Sequence, residues 1–132
     1  MKFYLCFKEY NYKLNLAACK SFYEQTGKDL NYTLLRYLNS CRESAKADTA
    51  TRLQMMFGLE DFAVIAKLLH CLITQEHQEV PLEEIEDAMF RVGWMPTNSD
   101  TGKCEPWPLV VTLIATQVSE YYSLLDKKKA TT

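Results

Sequence analysis

The residues best suited to chemistry are His70 and Cys71, because a thiolate beside an imidazole is a common arrangement in nucleophilic catalysis. The pair lies in an apolar run typical of a helix, where adjacent side chains point about 100° apart and cannot face each other. Another cysteine could still approach His70 through the fold. The favoured interpretation is that Cys71 is a small buried hydrophobic residue and that His70 lies at the edge of the core. We therefore predict no catalytic residue and no enzymatic activity.

Metal-ligating residue types are present, but their spacing does not match a known kind of site. The five cysteines have neither the even count of a disulfide framework nor the close pairs of a zinc site: they are Cys6, Cys19, Cys41, Cys71 and Cys104. His70 and His77 could share one face of a helix, but the polar residues after His77 indicate that the helix ends there. No metal site and no cofactor is predicted.

An acidic segment follows Pro81 and contains Glu83, Glu84, Glu86 and Asp87. Proline suits the first turn of a helix, and carboxylates in the first turns interact favourably with the helix dipole and with solvent. The alternative is that this segment is an acidic docking face for a basic partner. Glu83, Glu84 and Asp87 are therefore candidate partner-binding residues.

A second candidate is the segment from Trp94 to Pro108, which is rich in proline, glycine and small polar residues and is predicted to be a loop. Loops of this length are often functional. Trp94, Met95 and Trp107 flank it, and these residue types are favoured in recognition surfaces. They also commonly anchor a loop to the core, and we favour that interpretation over binding.

Charge and hydropathy exclude several classes of partner. The net charge is −2 and the basic residues are scattered, so the cationic surface of a nucleic-acid-binding protein is not evident outside the last few residues. Lys8 and Glu9 interrupt the apolar N-terminal residues, which argues against a signal peptide. The longest apolar stretch, about Phe62 to Ile73, is too short to span a bilayer. A cytoplasmic protein that binds neither nucleic acid nor membrane is predicted.

Hydrophobic periodicity predicts a mainly α-helical fold, a compact bundle of about five or six helices with a short N-terminal β-hairpin. The hairpin is expected over residues 2–14, with its turn at Lys8–Asn11. Helices are expected at about residues 15–27, 29–41, 49–58, 62–73, 81–93 and 107–125. One domain over residues 1–126 and a flexible basic tail over residues 127–132 complete the prediction.

Two of these helices carry predictions about which face is apolar. The core face of the fifth helix is expected to consist of Leu82, Ile85, Met89 and Phe90. In the sixth helix, the residues expected near one face are Leu109, Leu113, Thr116, Tyr121 and Leu124.

Two blocks of the sequence carry a family resemblance. The first comprises Tyr12–Lys20 and Phe22–Leu30, the latter reading FYEQTGKDL, and the second is Ile85–Pro96, which contains the G-W-x-P turn. Together they resemble the recurring segments of small tail assembly chaperones encoded by long-tailed bacteriophages and prophages. The resemblance implies a mainly helical protein that binds the hydrophobic, coil-forming tape measure protein. It would keep that protein soluble in the host cytoplasm until the tail tube protein polymerises around it, and it would be absent from the mature virion.

The resemblance also implies that a longer product can arise by translational frameshifting near the end of the reading frame. Lys127–Lys129 is encoded by A-rich codons, which are the kind of run on which a ribosome slips. The resemblance assigns no particular binding residues.

Other functions remain open at this point. The chain could be a structural minor tail or head–tail joining protein, or a host helical adaptor unrelated to phages. Self-association into a homo-oligomer would suit a long client that binds many copies.

Overall fold

The computed structural model describes residues 1–95 and 102–131, with side chains described as far as residue 125. This part of the chain forms a two-stranded hairpin followed by six helices, which confirms the predicted mainly α-helical fold. The elements are β1 (Lys2–Leu5), β2 (Lys8–Asn11), α1 (Leu16–Thr26), α2 (Leu30–Glu43), α3 (Thr49–Phe57), α4 (Phe62–Ile73), α5 (Leu82–Val92) and α6 (Trp107–Thr131). The predicted loop after Trp94 lies largely outside the described residues.

The hairpin is present, but its predicted turn at Lys8–Asn11 is wrong. The strands pair antiparallel with Phe3 opposite Tyr10, and the turn is formed by Cys6 and Phe7. Both turn residues have positive φ values, 50° and 67°, as a two-residue turn requires if it is to match the twist of the strands. Such turns usually contain Asn or Gly, and this one contains neither, so composition gave no signal of its position.

Side-chain caps fix the ends of the first two helices as the sequence predicted. The Ala18 N–H donates to Asn15 Oδ1 over 2.9 Å, and the Tyr32 N–H donates to Asp29 Oδ1 over 2.7 Å. Gly27 has a φ of 72°, and its N–H donates to Tyr23 O at the end of α1. These caps hold α1 and α2 as separate helices joined by a short connection.

The central helix of the bundle is α4, which packs against both α1 and α5. Ile65, Leu68, Leu69 and Leu72 are fully buried on it. Helix α6 packs against α2 and α3, and β1 lies against α6 and α5. The buried core contains side chains from both strands and all six helices.

The predicted core face of α5 is confirmed for Ile85 and Met89 but is wrong for Phe90, and the predicted face of α6 is largely wrong. Phe90 is mostly exposed on α5, where Ala88 and Val92 are buried. Helix α6 presents Val110, Val111, Ile114 and Ala115 to the core, and Leu113, Tyr121 and Leu124 are exposed. The first half of α6 is apolar on most of its circumference, so periodicity alone did not select the buried face.

The last helix is also longer than predicted. It continues to Thr131 rather than ending near Leu125. Since the side chains beyond residue 125 are outside the described part, the flexible basic tail stays a prediction. No helix among the described residues is long and apolar enough to cross a membrane.

Glu60 forms a buried ionic connection that the sequence did not predict. Its side chain is only 5% exposed, and its carboxylate lies 2.8 Å from Lys28 Nζ and 3.6 Å from Arg36 Nη1. Glu60 lies in the connection between α3 and α4, and its ion pairs join this connection to the one that precedes α2 and to α2 itself.

Tyr37 offers a test of the packing beside this cluster. Its side chain is fully buried, and among the described residues its hydroxyl has no hydrogen-bond partner. A buried hydroxyl without a partner destabilises the fold, so Tyr37→Phe is expected to leave the free energy of unfolding unchanged or raise it by up to about 1 kcal/mol. Denaturant titration measures the change.

The matched control is Tyr12→Phe. Tyr12 is equally buried, but its hydroxyl donates to Gln117 Oε1. Its removal leaves that acceptor without its donor and is expected to cost about 1 kcal/mol. Equal losses in the two variants would contradict the interpretation of Tyr37.

Candidate partner-binding site

The structure separates the predicted partner-binding residues into buried, structural and exposed groups. Trp107 is buried at the start of α6, with its ring 5.0 Å from that of Phe57 in an edge-to-face arrangement. A second edge contact joins it to Tyr37. Trp107 is therefore an anchor of the helix and is not available to a partner.

Glu84 also has a structural role. Its Oε2 accepts hydrogen bonds from the Tyr10 hydroxyl at 2.6 Å and from Lys8 Nζ at 3.0 Å, which fixes the hairpin to α5. The hydrogen bond from Tyr10, and after it the one from Lys8, lowers the pKa of the Glu84 carboxyl below its ordinary value of 4.5. Glu84 therefore makes an internal contact that the sequence did not indicate, and its role in partner binding stays a prediction.

The variant Glu84→Gln is expected to lower the free energy of unfolding at pH 7 by about 1 kcal/mol, a modest value because the site is partly exposed. The folded-state pKa lies below the unfolded-state value, so the carboxylate stabilises the fold fully above the unfolded pKa and loses this contribution as the pH falls through the folded pKa. The stability difference from wild type should therefore shrink in acid below about pH 4.5.

Glu83→Gln is the matched control, because Glu83 is the exposed neighbour of Glu84 on the same turn. Denaturant titrations from pH 3 to pH 7 would show little change for this variant, with both pH limits chosen to bracket roughly the carboxyl range. A pH-independent difference between wild type and Glu84→Gln would show that the carboxylate does not act through its charge.

The remaining acidic and aromatic candidates share one exposed face of α5. Glu83, Asp87 and Phe90 follow one another at helical spacing, and Trp94 continues the line just after the helix ends. Trp94 is 81% exposed, and its ring lies 6.4 Å from that of Phe90. The structure therefore brings Trp94 together with Glu83 and Asp87, as a partner-binding surface would require. We call these four residues the α5 face.

Met95 turns away from this line. Its sulfur lies 3.8 Å from the sulfur of Cys6 and 3.8 Å from that of Cys104. It therefore connects the end of α5 to the hairpin turn and to the segment before α6.

A larger apolar surface lies on another side of the bundle, between α1, α2 and α6. It is a groove with a cavity volume of about 620 Å³. Among the described residues, its lining contains no charged side chain and consists of Leu14, Asn15, Leu16, Cys19, Asn31, Leu34, Leu35, Ala115, Val118, Ser119, Tyr122 and Ser123. We call this surface the α1/α2/α6 groove.

The groove continues into depressions at both ends. Leu35 also borders a hollow between α2 and α3, and Leu14 and Tyr122 also border one beside the hairpin. Leu16 is 69% exposed and Leu35 52% exposed, so large apolar side chains are accessible along the groove. Extended apolar surface of this kind commonly marks a site of protein interaction.

Sequence reasoning missed this groove because α6, which is distant in the chain from the consecutive helices α1 and α2, forms one of its walls. One local signal was present. Leu35 adds a second leucine beside the buried Leu34, and Leu16 begins α1 outside the stripe of Ala18 and Phe22. The sequence therefore indicated an apolar surface only by placing more apolar residues on α1 and α2 than one buried stripe on each helix needs.

The residues considered for catalysis are held in structural contacts. His70 Nε2 lies 2.8 Å from the carbonyl oxygen of Val80. Cys71 is buried, and burial raises the pKa of its thiol, which disfavours the nucleophilic thiolate. Among the side chains of residues 1–95 and 102–125, no group of three from His, Cys, Asp or Glu is placed to hold a metal.

No protein-family model, curated protein or solved structure matches this chain. Its function must therefore be argued from its own residues and geometry.

Proposed function

We propose that this protein is a tail assembly chaperone of a long-tailed bacteriophage or prophage. It binds the tape measure protein in the α1/α2/α6 groove and keeps it soluble until the tail tube protein assembles around it. The protein acts in the host cytoplasm, performs no reaction and leaves before the virion is complete.

The observation that carries this proposal is the uncharged, accessible lining of the groove. A coil-forming client presents a stripe of apolar side chains along each helix. Such a stripe binds well in a groove between helices, where apolar side chains enter at helical spacing. Leu16, Leu35 and Tyr122 supply accessible apolar surface for this contact.

The first block of the sequence resemblance overlaps this surface in the chain, and the resemblance itself assigns no binding residues. The first resembling block, Tyr12–Leu30, includes four residues that line the groove: Leu14, Asn15, Leu16 and Cys19. The second block, Ile85–Pro96, forms α5 and the exposed residues Phe90 and Trp94, while Pro96 is outside the described residues. The α5 face is acidic and aromatic, which suits a second contact with a basic segment of the same client or of the tube protein.

The decisive experiment is co-expression of this chain with the tape measure protein from the same genome. The expected result is that the client is insoluble alone and is soluble in a complex that co-purifies with this chain. An unchanged insoluble client and no complex would overturn the proposal. Mass spectrometry of purified virions then tests the alternative of a structural tail component, because a chaperone is expected to be absent from them.

A further inference from the structure

Two cysteine sulfur atoms, from Cys6 and Cys104, both lie against the sulfur of Met95 beside the hairpin turn. The Met95 sulfur lies 3.8 Å from the Cys6 sulfur and 3.8 Å from the Cys104 sulfur. The backbone holds the two cysteine segments together, because the Phe7 N–H donates to the Lys103 carbonyl over 2.8 Å. All five cysteines are free thiols, so Cys6 and Cys104 are both available as ligands.

The two sulfur–sulfur distances match those between ligands of one small metal ion. A metal–sulfur bond of about 2.3 Å places neighbouring sulfur ligands about 3.8–4.0 Å apart in tetrahedral or trigonal coordination. The donor set is two thiolates and one thioether, and soft ligands of this kind select Cu(I). Zinc prefers four ligands and commonly uses nitrogen or thiolate donors, so it fits this set less well.

We propose that Cys6, Met95 and Cys104 bind one Cu(I) ion. Binding replaces the two thiol protons, which pass to solvent, and the metal stays in the Cu(I) state throughout. Cys104 is fully buried, while Cys6 and Met95 are partly exposed, so the ion enters from the side of the hairpin turn. The bound ion would join the hairpin turn, the segment after α5 and the segment before α6.

A second pair of thiols lies elsewhere in the fold and provides an internal comparison. Cys71 lies near Cys19 and, after burial and Asp29, contributes to the raised pKa of the Cys19 thiol. Cys71 is engaged with Ser21 and Gln25, and no methionine contact is found at this pair among the described residues. The three-sulfur site should therefore bind Cu(I) more tightly than this pair.

The test is anaerobic titration of the purified full chain with Cu(I) in competition with bathocuproine disulfonate. We expect one Cu(I) per chain, with affinity reduced about ten-fold or more in Cys6→Ser and in Met95→Leu, which each remove one of the ligands. Met95→Leu nearly conserves volume and so preserves folding. The controls are Cys19→Ser, which disrupts the second thiol pair, and Met55→Leu, which changes an exposed methionine elsewhere.

X-ray absorption at the copper edge gives an independent readout, and the expected shell is three sulfur atoms at about 2.3 Å. The proposal is overturned if the chain does not compete for Cu(I), if Cys6→Ser binds like wild type, or if Cys19→Ser loses the ion. A copper shell of nitrogen and oxygen atoms would overturn it as well. Circular dichroism of each variant ensures that lost binding is not lost folding.

Discussion

Replacing Leu35 by glutamate is expected to abolish solubilisation of the tape measure protein. Leu35 is half exposed and borders both the α1/α2/α6 groove and the neighbouring hollow on α2, so the change leaves the buried Leu34 in place. In a complex, the new carboxylate would be removed from water against apolar client side chains. A buried charge without a partner costs on the order of 3 kcal/mol, which corresponds to about a hundred-fold loss of affinity.

Leu113→Glu is the matched control for this variant. Leu113 is a leucine on a helix of the same bundle, is 45% exposed and does not line the groove. Co-purification of the client should therefore survive Leu113→Glu and fail with Leu35→Glu. If the client is retained by Leu35→Glu and lost by Trp94→Ala, it binds the α5 face and the groove assignment is wrong.

The course of the helices could be predicted from the sequence because their ends are decided locally. Asn15 and Asp29 each accept a hydrogen bond from an N–H three residues later, and Gly27 adopts a positive φ at the end of α1. Each of these signals depends only on nearby residues. These signals could therefore be recognised without knowing how neighbouring helices pack.

The hairpin turn and the exposure of Phe90 could not be predicted in this way. The turn at Cys6–Phe7 contains no residue that favours positive φ, so its position depends on pairing Phe3 with Tyr10 over the core. Phe90 directly follows the buried residues Ala88 and Met89. Only the packing of α5 against α4 decides which of these three side chains faces the core.

The candidate site could be predicted only in part, because some of its residues contact residues that are distant in the sequence. Trp94 and Asp87 share an exposed face because they belong to one helix and its end, which spacing can indicate. Glu84 is occupied by Tyr10, more than seventy residues earlier, and Met95 meets Cys6 at a similar separation. Contacts between such distant residues are set by the assembled fold, and composition does not report them.

Replacing Leu69 by alanine is expected to lower the free energy of unfolding by about 3 kcal/mol. Leu69 is fully buried on α4, which packs against both α1 and α5, so the cavity cannot close without moving two helices. The midpoint of denaturant unfolding should fall while the slope stays constant, because the surface exposed on unfolding is nearly unchanged.

Leu124→Ala, at an exposed position on α6, should change stability by less than about 0.5 kcal/mol. A loss below about 1 kcal/mol in Leu69→Ala would mean that α4 is not the centre of the bundle. Because a loss of about 3 kcal/mol would itself reduce the amount of folded protein, the stability of Leu35→Glu must be measured before a loss of client binding is assigned to the groove.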